Sequence, residues 1–251
     1  LHGYYSPHRY ITDNLDKIHT AGVHCNVEQA IKATLVLDLE KSFHFHMEQG
    51  WEDTIVKNAK YPFWIGIDKP KLKNNYDHLL HIPNFYEFKH NKDVVDNNIV
   101  GFAARMETRK CPHFLQGIKS ELTTDPKDVL WWKRNLDIDT TDWKIYKFNY
   151  EFLGKFYNRD WGISHSAHIF EPFGYSIFQA IDYGKLPILA KDWLPKYDYP
   201  FRAQSPEEFK EQYETICKLS TKERQEYLVP LRDYLRKFDN KQQIEERNYQ
   251  S

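Results

Sequence analysis

In the second half of the chain, short apolar runs and amphipathic stretches take turns. Residues 98–104, Asn-Ile-Val-Gly-Phe-Ala-Ala, read as a buried strand, followed by a polar turn and a helical stretch at 113–120. Residues 143–148 read as a second strand, 151–157 as a helix, and 161–164 as a third strand. A helix is predicted at 176–183, where Ile177, Ala180 and Ile181 share one face and Gly184 suits the C-cap. Residues 186–190, Leu-Pro-Ile-Leu-Ala, read as another buried strand. From Ser205 onward, Ser-Pro-Glu-Glu-Phe opens an N-capped, charged helical segment. This order predicts an α/β fold: a mostly parallel sheet covered on both faces, joined by right-handed crossovers. In such sheets ligands sit beyond the carboxyl ends of the strands, so the loops after Ala104 and around 170–175 are where chemistry is expected.

At 251 residues the chain suits two modest domains better than one. A lysine- and asparagine-rich stretch at 69–77, then Ile82-Pro83-Asn84 and a polar run at 89–98, read as an inter-domain connection. The expected division is 1–90, 91–235 and a helical tail at 236–251. Formal net charge is −1, so the totals do not call for nucleic acid or an anionic membrane. Three widely spaced cysteines, Cys25, Cys111 and Cys217, argue against a disulfide framework and for a reducing, cytoplasmic setting. No run approaches the length of a transmembrane helix, and no leader pattern opens the chain.

Two clusters carry chemistry. Arg105 and Lys110 follow the first strand of the second half across a tight polar loop, so both can enter one cleft. A guanidinium grips phosphate oxygens in a fork and an ammonium adds a mobile point charge, a combination suited to a diphosphate. The second cluster is a loop that ends at a helix start. Gly174 lets the backbone approach a ligand, and the amides of Tyr175 and Ser176 are placed to donate to phosphate oxygens. Glu171 is suited to accept from sugar hydroxyls, and Gln179, one turn into the helix, to reach a ribose.

Together these residues resemble the retaining glycosyltransferases of the GT-B fold, particularly family 4. Gly101, Arg105 and Lys110 match that family's glycine, arginine and lysine, and Glu171, Phe173, Gly174, Ala180, Gly184 and Pro187 match its Glu-x7-Glu segment. The resemblance covers roughly residues 80–235. It implies two Rossmann-like domains with parallel sheets, and transfer of a sugar from a nucleoside diphosphate sugar to an acceptor hydroxyl. It also implies retention and no metal or other cofactor, with Gly101 and Phe173 in the donor site. The acceptor would be a glycan, a lipid-linked sugar or a small sugar. Gln179 replaces the second glutamate and Cys111 the glycine after the lysine.

Leu1-His2-Gly3 is similar to the family's strand-end His-Gly, which would set His2 against the donor sugar. On that analogy the first strand and glycine-rich loop of the first domain are missing from the chain, supplied by an N-terminal segment or a partner chain. Two rivals stay open: a non-catalytic nucleotide-sugar-binding subunit, and a phage-type glycosyltransferase that modifies hydroxymethylated bases in DNA. Lys69, Lys71 and Lys73 suit the latter, though a solvated linker explains them as well. His44 and His46 alternate without a third metal ligand. Asp137-Ile-Asp139 has a metal-holding form but sits in a polar connector. Trp131 and Trp132 read as packing residues rather than a sugar platform.

Overall fold

The structure, a computed structural model, describes residues 20–24, 42–46, 61–64, 67, 80–81, 86–169, 171 and 173–239. The chain divides into two compact units, Leu1–Asn84 and Phe85–Ser251. In the first unit, strands β1 (Thr20–His24), β2 (Ser42–His46), β3 (Tyr61–Trp64) and β4 (Leu80–His81) form a parallel sheet in that order. His44 and His46 fall on β2, in register with Gly22 and His24 of β1.

The second unit is built on six parallel strands: β5 (Val100–Ala103), β6 (Ser120–Thr124), β7 (Trp143–Lys147), β8 (Ile163–Ser166), β9 (Leu186–Ala190) and β10 (Arg202–Ala203). Their order across the sheet is β7-β6-β5-β8-β9-β10. The chain starts in the middle, builds outward through β6 and β7, then returns to lay β8, β9 and β10 on the other side. This is the doubly wound order, and its direction reverses between β5 and β8, where a crevice opens beyond the strand ends. The helices are α1 (Pro126–Leu136), α2 (Tyr150–Tyr157), α3 (Tyr175–Asp182), α4 (Pro206–Cys217) and α5 (Thr221–Leu235).

Local chemistry accounts for most of these boundaries. Ser205 caps α4 by accepting from the Glu208 amide at 3.2 Å, and Ser220 with Glu223 forms a reciprocal capping box at the start of α5. Gly184 takes a positive φ of 77° just past α3. Two stretches depart from the sequence reading. The expected helix at 113–120 is instead two short 3₁₀ turns, Thr108–Lys110 and Pro112–Leu115, ended by a bend at Gly117 and followed by β6. β6 has no apolar run, yet all five of its residues are buried, with Glu121 in an ion pair with Arg159. α1 was not expected at all. It begins at Asp125, which accepts from the Lys127 amide at 3.0 Å, and closes at Asp137 in the left-handed region.

The core lies between sheet and helices, with Val100, Phe102, Leu122, Ile163, Ile188 and Leu189 withdrawn from solvent. Trp161 joins Phe156 and Tyr157 in a second cluster and donates its indole N–H to Phe156 O at 2.9 Å. The segment at 86–98 belongs to this unit rather than to a solvated connector. Buried Asp182 accepts from the amides of Lys89, His90 and Asn91 at 3.2, 3.0 and 2.7 Å, and from the Tyr86 hydroxyl at 3.2 Å. Buried Arg224 donates to Asn97 O at 3.2 Å, and buried Arg232 to Lys92 O. A carboxylate and two guanidiniums, all buried, therefore fasten the strap through charge-assisted bonds. The expected helical tail shows a 3₁₀ turn at Arg236–Phe238; residues 240–251 lie outside the described residues.

Candidate functional site

The crevice between β5 and β8 is flanked by the loop at 104–111 and the loop at 167–174. In the first, Arg105 is exposed and its Nη1 lies 3.0 Å from Glu107 Oε1, while Arg109 Nε lies 2.8 Å from Glu107 Oε2. One carboxylate therefore holds two guanidiniums. Cys111 ends the 3₁₀ turn at φ 52°, its N–H donating to Thr108 O at 3.0 Å. A side chain in this left-handed region costs about 1–2 kcal/mol, a cost that a glycine at this position would not bear. The thiol is buried, and burial pushes its pKa up to about 11, so it stays a neutral packing group.

Three contacts tie the first loop to the second and to the end of β8. Ile169 N–H donates to Arg109 O at 2.7 Å, His165 Nε2–H donates to Cys111 O at 2.9 Å, and Lys110 Nζ pairs with Glu171. Glu171 Oε2 also lies 3.5 Å from Nδ1 of buried His168. Burial alone would raise the Glu171 carboxyl, but His168 and Lys110 outweigh it and hold the group at about 2. Burial lowers both histidines, His165 to about 3, so each is a neutral imidazole.

Past this loop, Gly174 caps α3 with φ 83°. A Cβ there would meet Ile177 Cδ1 at 2.8 Å and Glu171 Cγ at 3.1 Å, so the turn that presents Glu171 requires glycine. The amides of Ile177 and Phe178 both return to Gly174 O. Those of Tyr175 and Ser176 have no acceptor within the helix and carry the positive end of its dipole. Tyr175, Ser176 and Gln179 form the less buried face of α3, opposite Ile177, Phe178, Ala180 and Ile181.

Of the residues singled out from sequence, Arg105, Lys110, Glu171, Gly174, Tyr175, Ser176 and Gln179 lie on these two loops and the helix start. Two lie elsewhere. Gly101 is covered by Trp161, whose Cδ2 would be 2.2 Å from an added Cβ. Phe173 is buried and stacks on Phe178 at 4.5 Å, so both serve packing. His2, Ile82-Pro83-Asn84, Lys69, Lys71 and Lys73 lie outside the described residues. Glu107, Arg109, His165 and His168 were missed. An acid among three basic residues, and a His-x-x-His run three residues before Glu171, were the available signals.

Asp139 accepts from the Thr141 amide at 2.9 Å and hydroxyl at 2.6 Å, so with Asp137 it shapes the end of α1 and the turn into β7. Among the described residues, no group of three His, Cys, Asp or Glu side chains is arranged around a metal position, and no helix is long and apolar enough to cross a membrane.

No protein-family model matches the chain, and no curated protein matches it. Solved structures do. The pneumococcal O-GlcNAc transferase GtfA, in complex with UDP and GlcNAc, superposes with a TM-score of 0.63 at 12% identity, over 96% of this chain and 58% of GtfA. A TarM variant of S. aureus, in complex with fondaparinux, alpha-GlcNAc-glycerol and UDP, gives 0.66 at 13%, over 96% of this chain and 56% of TarM. Sucrose-phosphate synthase of Thermosynechococcus elongatus gives 0.65 at 14%, over 98% and 79%. This chain thus spans little more than half the length of the first two. The likeness is one of architecture: the chain has the GT-B fold.

Proposed function

We propose that this chain, with the GT-B fold as its scaffold, binds a nucleoside diphosphate sugar in the β5–β8 crevice and transfers the sugar to an acceptor hydroxyl. The observation that carries the reading is the Lys110–Glu171 pair, which joins the two sides of the crevice beside the N-terminus of α3. Three cations, Arg105, Arg109 and Lys110, meet two carboxylates there, Glu107 and Glu171, leaving one positive charge in excess. The helix dipole adds to it. Such a site suits the two negative phosphates of a donor and the charge that grows on the leaving diphosphate.

In the proposed reaction the bond from the anomeric carbon to the diphosphate oxygen breaks, and the diphosphate leaves with the electron pair. Arg105, Lys110 and the amides of Tyr175 and Ser176 stabilise that charge as it develops, in place of a metal ion. Glu171 accepts from hydroxyls of the sugar and Gln179 from the ribose. The acceptor hydroxyl passes its proton to the departing diphosphate oxygen as its own oxygen bonds the anomeric carbon on the face the diphosphate left, which is retention. The neighbours solved with UDP make UDP the first donor nucleotide to test. A cytoplasmic setting suits the free thiols of Cys111 and Cys217.

Arg105→Ala and Lys110→Ala are each expected to lower transfer from UDP sugars about 100-fold, the usual cost of removing one charge-stabilising donor. Arg105→Ala should leave the unfolding transition nearly unchanged because Arg105 is exposed, whereas Lys110→Ala leaves the largely buried Glu171 carboxylate without its ammonium and should also lower the transition. Unchanged transfer in both variants would defeat the assignment.

A further inference from the structure

We propose that a second cleft in the Phe85–Ser251 unit, between the loop after β5 and helix α1, binds a neutral sugar ring. It has a volume of about 500 Å³ and is lined by Met106, Glu107, Thr108, Asp128, Trp131 and Trp132. The proposal goes beyond donor binding, because apart from Glu107, which the two sites share, the cleft is lined by residues with no part in the donor crevice.

The two tryptophans, alike in sequence, do different things. Trp132 is buried and its indole N–H donates to Met106 O at 2.8 Å, which fastens the loop to α1. Its ring also stacks on His113 at 6.1 Å. Trp131 contributes little to the core: it is 55% exposed and meets Trp132 edge to face at 6.3 Å. A large apolar face is thus held toward water on the wall of a cleft, braced by a side chain that cannot move far.

The polar groups around that face define the ligand. Glu107 is clamped through both oxygens by Arg105 and Arg109, so its position is fixed while each oxygen keeps a lone pair for a further donor. Asp128 stands on the first turn of α1, three residues before Trp131, and Thr108 adds an exposed hydroxyl. An apolar platform ringed by hydrogen-bond acceptors fits a molecule with one C–H face and donors around its edge. That is the chemistry of a pyranose. Glu107 is already paired with two guanidiniums and Asp128 adds a further negative charge, so the lining presents hydrogen-bond acceptors rather than a cation to a ligand. Because Glu107 is held by Arg105, a sugar in this cleft lies one ion pair away from the donor crevice.

The test is saturation-transfer NMR on the full chain with glucose, N-acetylglucosamine and maltotriose, without nucleotide. At least one should bind in the millimolar range. Trp131→Ala should weaken it about tenfold, and Trp131→Phe, which keeps an aromatic face, should weaken it less. Asp128→Asn should give an intermediate loss. The thermal shift produced by UDP is read on the same variants and should be unchanged. If UDP gives no shift in the wild-type chain while sugars still bind through Trp131, the donor assignment falls and this one stands. The proposal is overturned if none of the sugars binds, if binding is equal in the Trp131→Ala variant, or if uridine occupies the cleft in their place.

Discussion

Lys110 has two claims on it: Glu171 in the resting crevice, and a diphosphate in the proposed reaction. The ion pair is largely withdrawn from solvent, with 17% and 14% of the two side chains exposed, so the carboxylate is a real competitor for the ammonium. Removing its charge should separate binding from chemistry. In the Glu171→Gln variant we expect UDP to bind several-fold more tightly by calorimetry, because Lys110 no longer exchanges one anion for another. Sugar transfer should drop by about 100-fold, because the acceptor for the sugar hydroxyls is weakened. Weaker UDP binding would show that Glu171 positions Lys110 rather than competing for it. Residue types and spacing made Lys110 and Glu171 legible in the sequence, but their pairing spans 61 residues and became visible only once β5 and β8 were neighbours. His168 was illegible for a different reason. Its role rests on complete burial against Phe102 and Glu171, which no local pattern announces.

Elements with apolar runs were readable, and those without were not. β5 and β9 follow the sequence because their residues are apolar or small and bounded by turns, whereas β8 is Ile-Ser-His-Ser at 163–166 and overlaps the expected strand at 161–164 by two residues. β6 is Ser-Glu-Leu-Thr-Thr, buried in a sheet interior where the backbone is paired on both sides, Ser120 donates to Ile118 O and Glu121 pairs with Arg159, while the Thr123 and Thr124 hydroxyls have no hydrogen-bond partner. α1 buries only Val129 and Trp132 and leaves Leu130, Trp131 and Leu136 about half exposed, so its apolar positions do not fall on one face. Gly101 reads as part of the strand at 98–104, and only the family resemblance implied a place in the donor site; in the sheet it makes room for an indole. Gly101→Ala would put a Cβ 2.2 Å from Trp161 Cδ2, and overpacking of this kind costs about 1–3 kcal/mol. We expect the variant to melt several degrees lower and still bind UDP at full affinity when folded. The double variant Gly101→Ala/Trp161→Leu should recover part of the loss. A variant of unchanged stability that no longer binds UDP would return Gly101 to the donor site.

At the scale of the whole second unit, the strand order decides where a ligand can act. The crevice exists because β5 and β8 are adjacent in the sheet while their connections leave in opposite directions, so the loops after them face each other across a gap. β7 and β10, the outer strands, lie remote from that gap. The strap at 86–98 and its buried anchor Asp182 tie the end of α3 to the rest of the unit, which keeps the helix start rigid where a phosphate would meet it. A ligand held by Arg105 and Lys110 on one side and by the Tyr175 and Ser176 amides on the other must therefore restrain both loops at once. Hydrogen exchange with and without saturating UDP reads this directly. Protection should rise at 105–111 and at 167–176 together, while 143–147 and 202–203 should exchange as before. At one hundred times Kd the ligand should add about 2.7 kcal/mol to the stability of the unit. Protection confined to one loop would mean that the nucleotide rests on one side of the crevice, and the bridging arrangement on which transfer depends would be lost.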